Sequence, residues 1–142
     1  MVGHAPPRFI LRDTDGNEYT PSCSGGKYVY LFFCTPDHYG CMTEYPYLNS
    51  YHTRHSEYLE IVTVIVAREE SLVAEFMKRN GYSWRAAYYG DQDGLLGDYQ
   101  VKAFPAAYLL DRNGNLLLSP APLPSDGFEQ YLFRIMRSRG EI

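Results

Sequence analysis

Two stretches of this chain are apolar without alternating, KYVYLFF at residues 27 to 33 and EIVTVIVA at 60 to 67. A strand with one face in water alternates, so unbroken runs of this length predict strands covered on both sides. The first is expected near the centre of a sheet. Between the two, Cys41 to about Tyr58 reads as a helix with Pro46 inside it, and a proline there removes a backbone donor and predicts a kink. Beyond the second run, EESLVAEFMKRNG sets Leu72, Val73, Phe76 and Met77 at helical spacing and stops at Gly81.

The flanks carry shorter signals. FILRDTDGNEY, 9 to 19, places an Asp-Gly turn between two β-prone pieces and predicts a hairpin or edge element. DGLLGDYQV, 93 to 101, reads as a short helix, and FPAAYLLDRNGNLLL, 104 to 118, as a strand, an Asn-Gly turn and a strand. Phe128, Tyr131, Leu132, Ile135 and Met136 then fall on one face of a closing helix. Strands alternating with helices, then a hairpin and a helix, predict one α/β domain over 1–142, a three-layer α/β/α arrangement around a mixed sheet. No repeat or long linker breaks it, and SPAPLPSDG at 119 to 127 is a Pro-rich loop.

Composition narrows the function classes. The 142 residues carry a formal charge of −4, and the 13 basic residues are scattered, which argues against a nucleic-acid partner. No stretch of about 18 apolar residues predicts a membrane span, and the amino end lacks the pattern of a signal peptide. The 14 tyrosines are expected mostly to fill core and half-buried surface. Cysteines at 23, 34 and 41 are too few for a disulfide framework and lack the paired spacing of a structural zinc site, so at most one internal bridge is available and neither metal nor cofactor is expected.

Two of those cysteines bound CTPDHYGC, 34 to 41, between the first apolar run and the first helix. With this turn in place, three pieces of the chain resemble the TlpA-like branch of the thioredoxin-fold thiol-disulfide oxidoreductases. They are VYLFF with the turn and CMTEYPYLNSY, then IVTVIVAREES, and most specifically YQVKAFPAAYLLDRNGNL. The resemblance spans nearly the whole chain. It implies a thioredoxin-like fold, a cis peptide bond from Phe104 to Pro105 beside the redox site, protein thiols or disulfides as substrates, a redox partner protein and an extracytoplasmic, periplasm-like location.

The family's motif is Cys-x-x-Cys. Its second cysteine aligns with Cys41 and its first with His38, so this chain reads His-x-x-Cys. His38 cannot be a thiol nucleophile, which leaves Cys41 as the principal thiol, favoured as thiolate by a helix start and by a protonated His38 and opposed by Asp37. Pro105 with Phe104 would shape the substrate groove, flanked by exposed tyrosines such as Tyr39 and Tyr45. Cys34 is a candidate partner, although a disulfide needs Cα atoms about 4.4–6.8 Å apart and a turn of this type is expected to hold the two farther apart unless it rearranges. Cys34 could equally be core, and Cys23 reads as incidental.

Other readings stay open. A redox-silent module could bind extended peptide in the groove beside Pro105. GCMTE resembles the peroxiredoxin stretch Gly-Cys-Thr-Thr-Glu, but His38 stands where those enzymes need threonine and Pro105 where they need arginine. Two thiols and an imidazole in eight residues suit copper(I), yet no histidine follows His55 to complete the set. His52 and His55, on the Cys41, Tyr45, Leu48 stripe, are expected to be satisfied half-buried histidines.

Overall fold

The computed structural model describes residues 11–20, 25–35, 39–67, 69–89 and 104–142. Its centre is set by the two unbroken apolar runs, which form β3 (Tyr28–Cys34) and β4 (Leu59–Val66), paired in parallel from Tyr28 opposite Leu59 to Cys34 opposite Ile65. Every residue of β3 is buried. Tyr28, Tyr30, Phe32 and Cys34 enter one apolar cluster, whereas Val29, Leu31 and Phe33 enter a second with Val62, Val64, Tyr108 and Leu110. Both faces exclude water, and that is why the run has no polar alternation.

The hairpins form at the predicted turns. β1 (Leu11–Asp13) pairs with β2 (Glu18–Tyr19), and β6 (Ala106–Leu110) with β7 (Leu116–Leu118). Both turns use the same device. Asp13 accepts the backbone N–H groups of Asp15 and Asn17, each at 2.9 Å, and Asp111 accepts those of Asn113 and Asn115 at 2.9 and 3.0 Å. Gly16 and Gly114 close them at φ of 83° and 85°, a conformation that a side chain would strain.

One strand escapes the periodicity. β5 (Arg85–Tyr89, RAAYY) opens with a cation and holds two alanines, so its own β preference is weak. Tertiary pairing supplies what propensity lacks, for β5 lies parallel to β4 and antiparallel to β1. Arg85 fixes the junction through Asp13 at 2.7 Å and Glu60 at 2.9 Å. The sheet is mixed, seven strands in the order β2-β1-β5-β4-β3-β6-β7.

The segment expected as one kinked helix is two helices, α1 (Tyr39–Met42) and α2 (Tyr45–His55). Pro46 does not bend a continuous helix. It stands in the first turn of α2, where its missing N–H has no partner to lose, and the break precedes it at Thr43 and Glu44. α3 (Glu70–Asn80) ends as predicted on Gly81, left-handed at φ 70°. A short 3-10 turn (Pro124–Asp126) leads into α4 (Phe128–Ser138), which buries Phe128, Leu132 and Met136 at roughly 2 kcal/mol each. Tyr131 faces outward instead, at 45% exposure. Buried side chains of α2, α3 and α4 join the cluster on the Tyr28, Tyr30, Phe32 and Cys34 side of the sheet, and the helix expected over 93–101 lies outside the described residues. Among the described residues, no helix is long and apolar enough to cross a membrane.

Candidate active site

β3 ends in Cys34, and the pleat delivers its thiol to the face that carries the helices. Seven residues later the four-residue α1 buries Cys41, while its neighbours Tyr39 and Met42 remain 81% and 52% exposed. α2 opens with Tyr45, a buried ring whose centroid lies 4.9 Å from Phe76 and 5.6 Å from Tyr82. Its hydroxyl reaches Cys34 Sγ at 2.5 Å. Cys34 and Cys41 are buried in the same cluster, and the two thiols influence each other's ionisation. Three elements thus contribute one link each to a chain, Tyr45 to Cys34 to Cys41.

The chain has a direction. Cys34, first of all, and then the Thr35 backbone N–H hold Cys41 below the ordinary cysteine range, against burial and the charge of Glu44. Burial pushes Cys34 well up, with Cys41 adding to the rise and the Tyr45 hydroxyl offsetting part of it. Burial and the adjacent Cys34 likewise push Tyr45 far up. The Cys41 proton therefore leaves first, and the resulting thiolate is met by a thiol that is itself met by a phenol.

A second set of contacts holds the frame. Glu44, buried at the α1–α2 junction, accepts the Ser125 backbone N–H at 2.8 Å and its hydroxyl at 2.6 Å, and the Tyr51 hydroxyl donates to the Pro124 carbonyl at 2.5 Å. The helices that carry Cys41 and Tyr45 are thereby tied to the loop before α4.

The AhpC/TSA family matches this sequence over residues 2–118. The chain belongs to that family. Within it, the thiol-disulfide oxidoreductase ResA of Geobacillus kaustophilus is 33% identical over 120 residues, and that of Bacillus subtilis 32%. These alignments cover 81% of this chain and 66% and 64% of the two relatives, so the chain spans about two thirds of their length. Among solved structures, the thioredoxin domain of a thiol-disulfide oxidoreductase from Bacteroides vulgatus superposes with a TM-score of 0.80 at 22% identity, covering 94% of this chain and 97% of that one. A thiol:disulfide interchange protein from a Bacteroides species gives 0.79 at 22%, over 92% and 88%. The fold of this family member is thioredoxin-like.

Of the residues singled out in the sequence, Cys34 and Cys41 are both buried in one apolar cluster, each as a free thiol. Tyr39 opens α1 in solvent, and Phe104 and Pro105 stand half-buried before β6, joined by a cis bond. His38, Asp37 and Cys23 lie outside the described residues. Tyr45 corrects the expectation of an exposed groove tyrosine, since it is 1% exposed and points into the core. The helix-start argument for Cys41 also changes, because α1 is a single turn and the neighbouring thiol is the strongest influence. Thr35, and the hydrogen bond of Tyr45 to Cys34, were not foreseen. No local spacing signals the contact, since Tyr45 starts a new helix after the break at Thr43 and Glu44 and meets Cys34 from a separate strand.

Proposed function

We propose that this chain exchanges thiols and disulfides with other proteins through Cys41, in a TlpA-like site where His38 replaces the first cysteine of the usual pair. The observation that carries the reading is the arrangement at Cys41, a thiol at the motif position that is buried in one cluster with Cys34 and whose pKa is held below the ordinary cysteine range by Cys34 and the Thr35 backbone N–H. The thiolate attacks one sulfur of a substrate disulfide, a mixed disulfide forms on Cys41, and the released thiolate takes up a proton. His38 tunes or relays that proton. Phe104 and Pro105 shape the groove for the substrate chain, and Tyr39, the most exposed large ring among the described residues, meets it at the edge. The names of the relatives support protein thiols as substrates and a redox partner protein, and the family resemblance supports an extracytoplasmic, periplasm-side location.

Insulin disulfide reduction tests this directly. Cys41→Ser should abolish exchange, and His38→Cys should raise it well above the parent by restoring two thiols at the motif spacing. Equal activity of Cys41→Ser and parent would refute the reading.

The burial of Cys41 favours one second reading, a redox-silent module that binds extended peptide beside Pro105. It predicts peptide binding that is indifferent to Cys41→Ser and a Cys41 that alkylates slowly at every pH.

A further inference from the structure

We propose that Cys34 is the resolving thiol for Cys41, so that the two close a reversible disulfide across the turn from 34 to 41. The inference rests on Cys41 exchanging disulfides as described above, and it supplies the partner that a His-x-x-Cys motif lacks. Cys34 is buried in the same cluster as Cys41, on the same side of the sheet, and each thiol influences the ionisation of the other. The Tyr45 hydroxyl, 2.5 Å from Cys34 Sγ, can donate to the thiolate that Cys34 must become.

The environment also orders the two steps. In the resting pair the negative charge of Cys41 disfavours a second thiolate beside it, and burial keeps Cys34 protonated, so Cys34 does not compete for substrate. Once Cys41 is in a mixed disulfide its charge is gone. Cys34 then ionises more readily and attacks the Cys41 sulfur, forming the Cys34–Cys41 bond and breaking the bond to substrate. The departing substrate sulfur takes the proton that Cys34 gives up. Over both steps two protein thiols are oxidised and one substrate disulfide is reduced to two thiols, with no other oxidant or reductant. Run backwards, the internal disulfide oxidises a pair of substrate thiols.

Oxidised glutathione is a sufficient probe, with intact-mass and peptide mapping as the readout. The full chain carrying Cys23→Ser should pass through a glutathione adduct on Cys41 to an internal Cys34–Cys41 disulfide. With Cys34→Ser added, and equally with Cys34→Ala should serine perturb the core, the adduct on Cys41 should persist at least tenfold longer. Tyr45→Phe, which leaves both thiols in place, should lengthen the adduct's life about fivefold, the factor one hydrogen bond carries. An adduct equally long-lived with and without Cys34 would overturn the resolving role while leaving exchange at Cys41 intact. A Cys41 that takes no glutathione in any of these chains would overturn the exchange reading and the resolving role together.

Discussion

The two ends of α2 solve the same problem, a polar group under apolar cover, with different chemistry. At the carboxyl end His55 is buried between Glu129, whose Oε2 lies 2.5 Å from Nε2, and the Tyr58 hydroxyl, 2.5 Å from Nδ1, while Arg54 reaches the same carboxylate oxygen at 2.5 Å. Both ring nitrogens of the imidazole are used, with a Glu129–Arg54 ion pair on one side and a neutral phenol on the other. At the amino end the polar atoms are two sulfurs and a phenol, and the carboxylate of Glu44, whose charge reaches Cys41, is occupied with Ser125. Thiol hydrogen bonds are weak and the proton on them is labile. The carboxyl end is therefore suited to holding α2 against α4, and the amino end to giving a proton away.

That contrast can be broken from either side. Cys41→Ser has the largest expected effect on function, exchange falling to background, with a thermal midpoint close to that of the parent because serine is nearly isosteric. His55→Ala has the largest expected effect on stability, roughly 2–4 kcal/mol in denaturant unfolding, since it opens a cavity and strips partners from Tyr58 and Glu129. It should leave the pH profile of Cys41 alkylation unmoved, and a shifted profile would show that the two ends are coupled. Tyr45→Phe keeps the ring contacts and removes one O–H···S bond, so unfolding should change by about 1 kcal/mol or less.

The smallest effect lies at acid pH. Burial opposes ionisation of Glu129, but His55 and Arg54 outweigh it and hold the carboxyl below its usual range. A carboxylate depressed on folding stabilises above its unfolded value of about 4.3 and loses that contribution as pH falls through the folded value. Glu129→Gln should accordingly flatten the loss of stability below about pH 4, by less than about 1 kcal/mol because water screens a group that is 26% exposed. A thermal-melt series from pH 3 to pH 7 in both chains reads it.

The fold was legible wherever a residue's partner could be read from periodicity. β3, β4, α3 and the two Asp-to-Asn turns carry their own signals, a two-faced apolar run, a helical stripe with a glycine stop, or a turn glycine. β5 was not legible, because Ala86 and Ala87 are strand residues only by virtue of the pairing with Val64 and Thr63. The α1–α2 break was hidden for a related reason. Glu44, at the junction, sends its side chain to Ser125, 81 residues away in sequence, and Pro46 falls in the first turn of the new helix. At the site, motif position singled out Cys41 as a candidate, while its burial in one cluster with Cys34 depends on the pleat of β3 and the inward turn of α1 together. Contacts of that kind are properties of the fold, and no local pattern announces them.

The proposed site depends on the Cys34 thiol favouring the thiolate at Cys41. The direct measurement is the rate of Cys41 alkylation by iodoacetamide against pH, resolved by peptide mass, in the Cys23→Ser chain and again with Cys34→Ala added. With Cys34 present the midpoint should lie below the free-cysteine value of about 8.5, and without it the midpoint should rise, since burial and Glu44 then act unopposed by the neighbouring thiol. Identical midpoints in the two chains, or a midpoint above that value while Cys34 is present, would contradict it.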